Sequence, residues 1–158
     1  MAGVAAEATG LVVECAACGR KNRVPYDRAG ESATCGQCGA TLPPLGAPVA
    51  VESEAAYDAL LREARVPVVV DYWAPWCGPC RMVAPELVKV AAASAGRMIV
   101  AKVNTDELPA IAEREGVASI PMLAVFVNGR RAAVTVGARP AAAIAAWVDM
   151  AARTAAAV

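Results

Sequence analysis

No histidine occurs among the 158 residues. That absence removes Ser-His and Cys-His nucleophilic chemistry, together with every imidazole metal ligand. Net charge is missing as well: 15 Lys and Arg stand against 15 Asp and Glu, so no whole-molecule field draws the chain toward nucleic acid or an anionic membrane. Long apolar runs are absent too. Alanine inflates the hydrophobic share to 58%, yet no segment approaches the roughly 18 uninterrupted apolar residues of a membrane span. The first fourteen residues hold Glu7 and Glu14 and neither Lys nor Arg, unlike the basic and then apolar layout of a secretory signal. A cytoplasmic protein with no membrane partner is expected.

What remains for chemistry is cysteine. Six cysteines fall into three CxxC pairs, a pattern that in an intracellular chain points to metal binding or redox exchange rather than a disulfide scaffold. The length allows one sizeable core and one small module that needs its own staple.

Cys15-Ala16-Ala17-Cys18 and Cys35-Gly36-Gln37-Cys38 are separated by sixteen residues, the spacing of a four-cysteine zinc site of the ribbon type. Gly19 and Gly39 follow the two pairs, where a tight turn lets backbone amides point at thiolates. Cys15, Cys18, Cys35 and Cys38 are therefore the candidate Zn²⁺ ligands. Zinc here substitutes for the core that a module of residues 1–40 cannot build. Two functional readings stand beside this structural one: a redox-sensitive zinc switch, and a ribbon that docks a partner or nucleic acid. Arg20, Lys21, Arg23 and Arg28 offset the thiolate charge. Glu14, Asp27 and Glu31 dilute these cations, so no nucleic-acid footprint is expected. Residues 41–48, with Pro43, Pro44, Gly46 and Pro48, read as a stiff linker.

Residues 49–158 carry the large domain. Val49 to Val51 suggests a short strand, and Ser53 an N-cap for a helix through Tyr57, Leu60 and Leu61. Val66 to Tyr72 is an apolar, β-branched run expected in a strand buried on both faces. A helix from Cys80 follows, with Met82, Val83, Leu87, Val90 and Ala91 at helical spacing and Gly96 as its stop. A strand over Met98 to Val103 and a short helix from Leu108 to Glu115 come next. Asn128-Gly129 turns a hairpin between Met122–Val127 and Arg130–Val136. The last helix, near Pro140 to Ala152, turns Ile144, Trp147 and Val148 inward. The order βαβαβαββα describes an α/β sheet with helices on both faces.

The third pair, Trp76-Cys77-Gly78-Pro79-Cys80, sits at a strand-to-helix junction. Only a thiolate attacks a disulfide, and a helix N-terminus stabilises it without burial through unpaired amides and the positive end of its dipole. Cys77 is placed as the attacking sulfur and Cys80, one turn deeper, as the resolving thiol. Gly78 permits the turn, Pro79 stiffens the first helical turn, and Trp76 offers an apolar contact surface. Asp71 interrupts the buried strand. It is either a general base for Cys80, its pKa raised by burial, or a structural carboxylate paired with Lys102.

Val70-Asp71-Tyr72-Trp73-Ala74-Pro75-Trp76-Cys77-Gly78-Pro79-Cys80-Arg81 resembles the active-site strand and loop of the thioredoxin family. Pro85, Lys102-Val103-Asn104, Ile120-Pro121, Asn128-Gly129 and Gly137 extend the likeness over residues 49–153, and the leading CxxC pairs extend it to the zinc-bearing thioredoxin 2 type. The resemblance implies a thioredoxin fold, a central mixed sheet with helices on both faces, preceded by a small zinc-ribbon-like module. It implies that Pro121 is a cis-proline opposite the dithiol, that the Ile120 backbone pairs with a substrate strand, and that Asp71 and Lys102 take buried acid-base roles. Protein-disulfide reduction by a monomer follows, with a redox-active Cys77–Cys80 disulfide and no bound organic cofactor. Substrate proteins bearing disulfides and an NADPH-dependent thioredoxin reductase are the implied partners. Met122, where the family usually has threonine, and the short segment between Asp106 and Ile120 depart from the pattern. Action as an oxidant or isomerase is the alternative within the same chemistry. From another class comes a zinc-binding redox sensor or chaperone-like module whose four-cysteine site responds to oxidation.

Overall fold

The structure is a computed structural model, described here over residues 3–156. Ten strands and four helices follow in chain order. The first part holds β1 (Val4–Glu7), β2 (Gly10–Glu14), β3 (Lys21–Val24), a single 3-10 turn at Tyr26–Arg28, and the short pair β4 (Ala33–Thr34) and β5 (Thr41–Leu42). The second part runs β6 (Val49–Ala50), α1 (Glu54–Glu63), β7 (Val68–Trp73), α2 (Gly78–Ala93), β8 (Ile99–Asn104), α3 (Pro109–Arg114), β9 (Met122–Val127), β10 (Arg130–Val136) and α4 (Ala141–Ala156). The βαβαβαββα order and the Asn-Gly hairpin match the sequence expectation. Ser53 caps α1 by accepting a hydrogen bond from the Ala56 amide at 3.1 Å.

The large sheet has the order β10-β9-β7-β8-β6. β7 and β8 run parallel, as do β6 and β8, whereas β9 is antiparallel to both β7 and β10. Alternation along β7 divides the core in two. Val68, Val70 and Tyr72 join a cluster with Tyr57, Leu60 and Ile111 from α1 and α3, whereas Val69 joins Val83, Leu87, Ile144 and Val148 from α2 and α4. The period of two therefore puts Asp71 on the α2 side, beneath the helix that carries Cys80. Lys102, in register with Asp71 across β7 and β8, follows Val100 onto the same side.

Two apolar expectations change. Met82 is 68% exposed, because its place on α2 turns away from the sheet that Val83 and Leu87 cover. Trp147 is half-buried, packed at the margin of the α2–α4 cluster rather than within it.

The N-terminal part does not stand apart from the large sheet. Ala6 in β1 bridges Val51 in parallel beside β6, and the Tyr26 hydroxyl donates to the Glu7 carbonyl. Leu11 and Tyr26 are buried in the same apolar cluster as Tyr57, Leu60 and Val70. Residues 41–48 are tied down along this seam: β5 pairs with β4, Leu42 and Leu45 are buried, and the Leu45 amide donates to the Ala29 carbonyl at 3.3 Å. A ribbon too small to build its own apolar core gains one by borrowing a face of the neighbouring domain.

Candidate active site and four-cysteine centre

β7 ends at Trp73, and a short loop brings the chain to Cys77, the N-cap of α2. The Cys80 amide donates to Cys77 Sγ at 3.2 Å, so one of the unpaired donors of the helix end is aimed at the sulfur. Cys77 and Cys80 are joined as a disulfide with their Cα atoms 5.3 Å apart. Gly78 and Pro79 occupy the first two helical positions, where a proline costs no hydrogen bond. In this oxidised state Cys77 is buried rather than exposed, 4% accessible, while Trp76 beside it is 69% exposed. Ile120 and Pro121 are joined by a cis peptide bond, and the Ile120 carbonyl oxygen lies 3.7 Å from Cys77 Sγ. Pro121 is buried and Ile120 half-buried. The residues expected around the dithiol from separate stretches of sequence thus converge on one rim.

Asp71 is fully buried, and neither carboxylate oxygen has a hydrogen-bond partner. Burial pushes its pKa from 3.8 up to about 7, partly opposed by the charge of Lys102. Lys102 does not close an ion pair with it; its ammonium lies 4.9 Å from the centre of the Trp73 ring. Lys102 therefore acts on Asp71 through its field and not through a hydrogen bond.

The other four cysteines form a second centre. Their sulfurs all lie within 4.8 Å of one another, with Cys15 to Cys38 and Cys18 to Cys35 each at 3.7 Å. The two pairs occupy equivalent knuckles. The Cys15 amide donates to the Arg20 carbonyl and the Cys35 amide to the Ala40 carbonyl, and Gly19 and Gly39, both at positive φ, return their amides to the Cys15 and Cys35 carbonyls. Cys15 and Cys35 are buried with Leu42; Cys18 and Cys38 are exposed. Backbone amides of Cys38 and Gln37, aided by Asn22, lower the Cys35 thiol pKa to about 6.

Two polar residues that sequence reasoning passed over belong to these centres. The Asp106 carboxylate accepts from Trp76 Nε1 at 3.1 and 3.4 Å, which anchors the exposed indole next to Cys77 in the chain. The two residues are distant in sequence, and no local pattern signals the pair. Asn22 stands beside the thiol cluster, where the cations were expected to offset charge. Arg23 and Arg28 instead pair with Glu7 and Glu31.

A family model described as Thioredoxin matches residues 48–150. The chain belongs to the thioredoxin family. A second model, a zinc ribbon described as the N-terminal part of thioredoxin 2, matches residues 14–40. Among curated relatives, thioredoxin 1 of Synechococcus elongatus is 44% identical over 100 residues, 63% of this chain and 94% of that protein. The chloroplastic M-type thioredoxin of Zea mays is 40% identical over 64% of this chain and 60% of its own length. A solved mutant thioredoxin from Halobacterium salinarum superposes with a TM-score of 0.62 at 28% identity, covering 68% of this chain and 92% of that one. This thioredoxin is a protein-disulfide oxidoreductase whose dithiol-disulfide exchange runs through Cys77 and Cys80. Among the described residues, no helix is long and apolar enough to cross a membrane.

Proposed function

We propose that this thioredoxin is a cytoplasmic, monomeric protein-disulfide reductase in which Cys77 is the nucleophile, Cys80 the resolving thiol and Asp71 the general base. The Cys77 thiolate attacks one sulfur of a substrate disulfide, forming a mixed disulfide and releasing the other substrate sulfur as a thiolate. Asp71 takes the Cys80 proton, and the Cys80 thiolate attacks Cys77 Sγ. The second substrate thiolate leaves, and the Cys77–Cys80 disulfide holds the two electron equivalents of oxidation. An NADPH-dependent thioredoxin reductase then returns two electrons to it.

The observation that carries this reading is the Cys80 amide directed at Cys77 Sγ at 3.2 Å. It favours negative charge on Cys77, both in the attacking thiolate and in the leaving one. Asp71 supports the second half-reaction, since a carboxyl with a pKa of about 7 exchanges a proton with a thiol at working pH. Lys102 tunes that carboxyl. Trp76, Gly78, Pro79, Ile120 and Pro121 form the contact rim for an extended substrate segment, with the Ile120 backbone available for pairing.

Residues 1–40, joined through the packed segment 41–48 to the thioredoxin domain at 49–158, are read as a zinc module with Cys15, Cys18, Cys35 and Cys38 as ligands. Four sulfurs at about 2.3 Å from Zn²⁺ in a tetrahedron lie roughly 3.8 Å apart, against the 3.7 Å of the Cys15–Cys38 and Cys18–Cys35 separations. Bound zinc would fix both knuckles and hold the thiolates deprotonated. Exposure of Cys18 and Cys38 favours a second role for the same centre, as a redox sensor that opens on oxidation. Zinc release under peroxide together with binding of unfolded clients would establish that role; a centre inert to peroxide removes it.

Insulin reduction coupled to thioredoxin reductase and NADPH tests the main reading. Turnover is expected from the full chain, and Cys80→Ser should accumulate the mixed disulfide with substrate on Cys77. Trapping on Cys80 instead would reverse the assignment.

A further inference from the structure

The two CxxC knuckles repeat each other, which makes their one mismatch informative. Seven residues after Cys15 stands Asn22; seven residues after Cys35, at the equivalent place, stands Leu42. Leu42 is buried against Cys15 and Cys35 and closes the apolar side of the cluster. Asn22, half-buried on β3, crosses from the first knuckle to the second.

Its amide group makes three contacts. Oδ1 accepts from the Gly36 amide at 3.0 Å, and Nδ2 donates to the Arg20 carbonyl at 3.1 Å and toward Cys35 Sγ at 3.5 Å. The direction of the carboxamide follows from its partners. A backbone N–H can only donate, so the oxygen faces Gly36 and the NH₂ faces the carbonyl and the sulfur. Arg20 is the residue whose carbonyl anchors the Cys15 amide, and Gly36 is the residue after Cys35. One side chain therefore ties the return strand of the first knuckle to the tip of the second. The Gln37 amide also approaches Cys35 Sγ at 3.5 Å.

We propose that Asn22 is the positioning residue of the metal centre: it fixes the separation of the two knuckles and donates a hydrogen bond to the Cys35 thiolate when zinc is bound. The inference rests on the zinc reading of the four cysteines. Donors to a metal-bound thiolate draw charge off the sulfur and hold its direction, and outer partners of this kind are worth about 10-fold to 100-fold in metal affinity. The near-isosteric change Asn22→Asp separates the two halves of the role. Aspartate keeps an oxygen for the Gly36 amide, but it loses the NH₂ donor and places a negative charge next to four thiolates.

The test is chelator competition for Zn²⁺ on the full chain, with the Co²⁺-loaded protein read by its thiolate-to-metal charge-transfer bands. Wild type should bind zinc stoichiometrically; if it does not, the zinc reading itself fails. With wild type loaded, Asn22→Ala should weaken zinc about 10-fold to 100-fold and Asn22→Asp at least as much, each with shifted charge-transfer bands. Wild-type affinity and bands in Asn22→Ala overturn the proposal, and rescue by Asn22→Asp overturns its donor half. Insulin reduction in the same samples reports whether the thioredoxin part is folded. A variant that does not fold is bypassed by ¹¹³Cd-loaded wild type, in which the Asn22 side-chain NH₂ should show a through-bond coupling to the metal across N–H···S. Absence of that coupling overturns the donor half as well.

Discussion

The Cys77–Cys80 pair and the Cys15–Cys18 and Cys35–Cys38 pairs share one spacing and differ in what stands behind them. Each ribbon pair rides a knuckle closed by a positive-φ glycine, so its two sulfurs splay toward a point shared with the other knuckle. The thioredoxin pair heads a sixteen-residue helix, so its sulfurs fold onto each other as a disulfide at the helix N-terminus. Beneath them lies a buried carboxylate without a partner; beneath the ribbon sulfurs lies Leu42. The spacing of two cysteines thus sets how near they can come, and the element that carries them sets whether they take a metal or exchange electrons.

The comparison breaks most completely at Cys77. Cys77→Ser should leave no insulin reduction in the reductase-coupled assay and no loss of bound zinc, since the two centres share no ligand. Persistent turnover would mean that a ribbon cysteine substitutes for it.

A second, smaller effect probes whether the two regions are energetically one. Leu11 belongs to the ribbon but is buried among α1 and β7 side chains, so Leu11→Ala should cost about 3 kcal/mol in denaturant unfolding. The loss should appear in a single transition of the thioredoxin part. Unfolding of the ribbon alone, with the thioredoxin midpoint unchanged, would show the shared core to be energetically silent.

Asp71 sharpens the contrast between the site that needs a proton acceptor and the one that does not. Its folded pKa of about 7 lies above the ordinary 3.8, so the folded state holds a proton that the unfolded state releases between these values. Stability therefore falls as pH rises from about 4 to 7 and is level above. The full penalty is about 4 kcal/mol. Asparagine does not titrate but leaves a buried amide to satisfy, so Asp71→Asn should lose roughly 2 kcal/mol below about pH 4 and gain roughly 2 kcal/mol at pH 8, the span between them being the full penalty. The same change should slow release of reduced substrate by about 100-fold. Equal pH-stability curves for the two proteins would argue against an unpaired carboxylate.

The smallest effect lies at the rim. Asp106→Ala frees the Trp76 indole and should raise KM for protein substrates about two- to fivefold with kcat unchanged, the worth of one exposed charge-assisted hydrogen bond. A matching fall in kcat would place Asp106 nearer the chemistry.

Legibility from sequence followed the range of the interaction. Ser53 as a cap, the Asn128-Gly129 turn, and Cys77 at the head of α2 depend on a few adjacent residues, and each was readable from them. Met82 was not, because a helical stripe of apolar residues does not say where its edge meets solvent. Trp76 with Asp106, and Asn22 with Gly36 and Cys35, join residues far apart in the chain. Polar residues in such pairs look like ordinary surface until the fold brings them together. The buried seam between the ribbon and β6 was legible only in outline: apolar Leu11 and Val13 before the first pair offer a surface to dock on the large domain, but nothing local fixes the geometry, and Tyr26 carries no mark of which core it enters.

By itself the sequence determined which atoms do chemistry: with no histidine and three CxxC pairs, sulfur had to carry both centres, and the motif around Cys77 named the exchanging pair. Tertiary structure decided what those sulfurs face. It set the Cys80 amide on Cys77, buried Asp71 without a partner on the α2 side of β7, put Lys102 over Trp73 instead of in an ion pair, and strung Asn22 between the knuckles. The physical reason is that reactivity at a thiol depends on donors, charges and solvent within a few ångströms, and those are supplied by strands and helices that only folding makes neighbours.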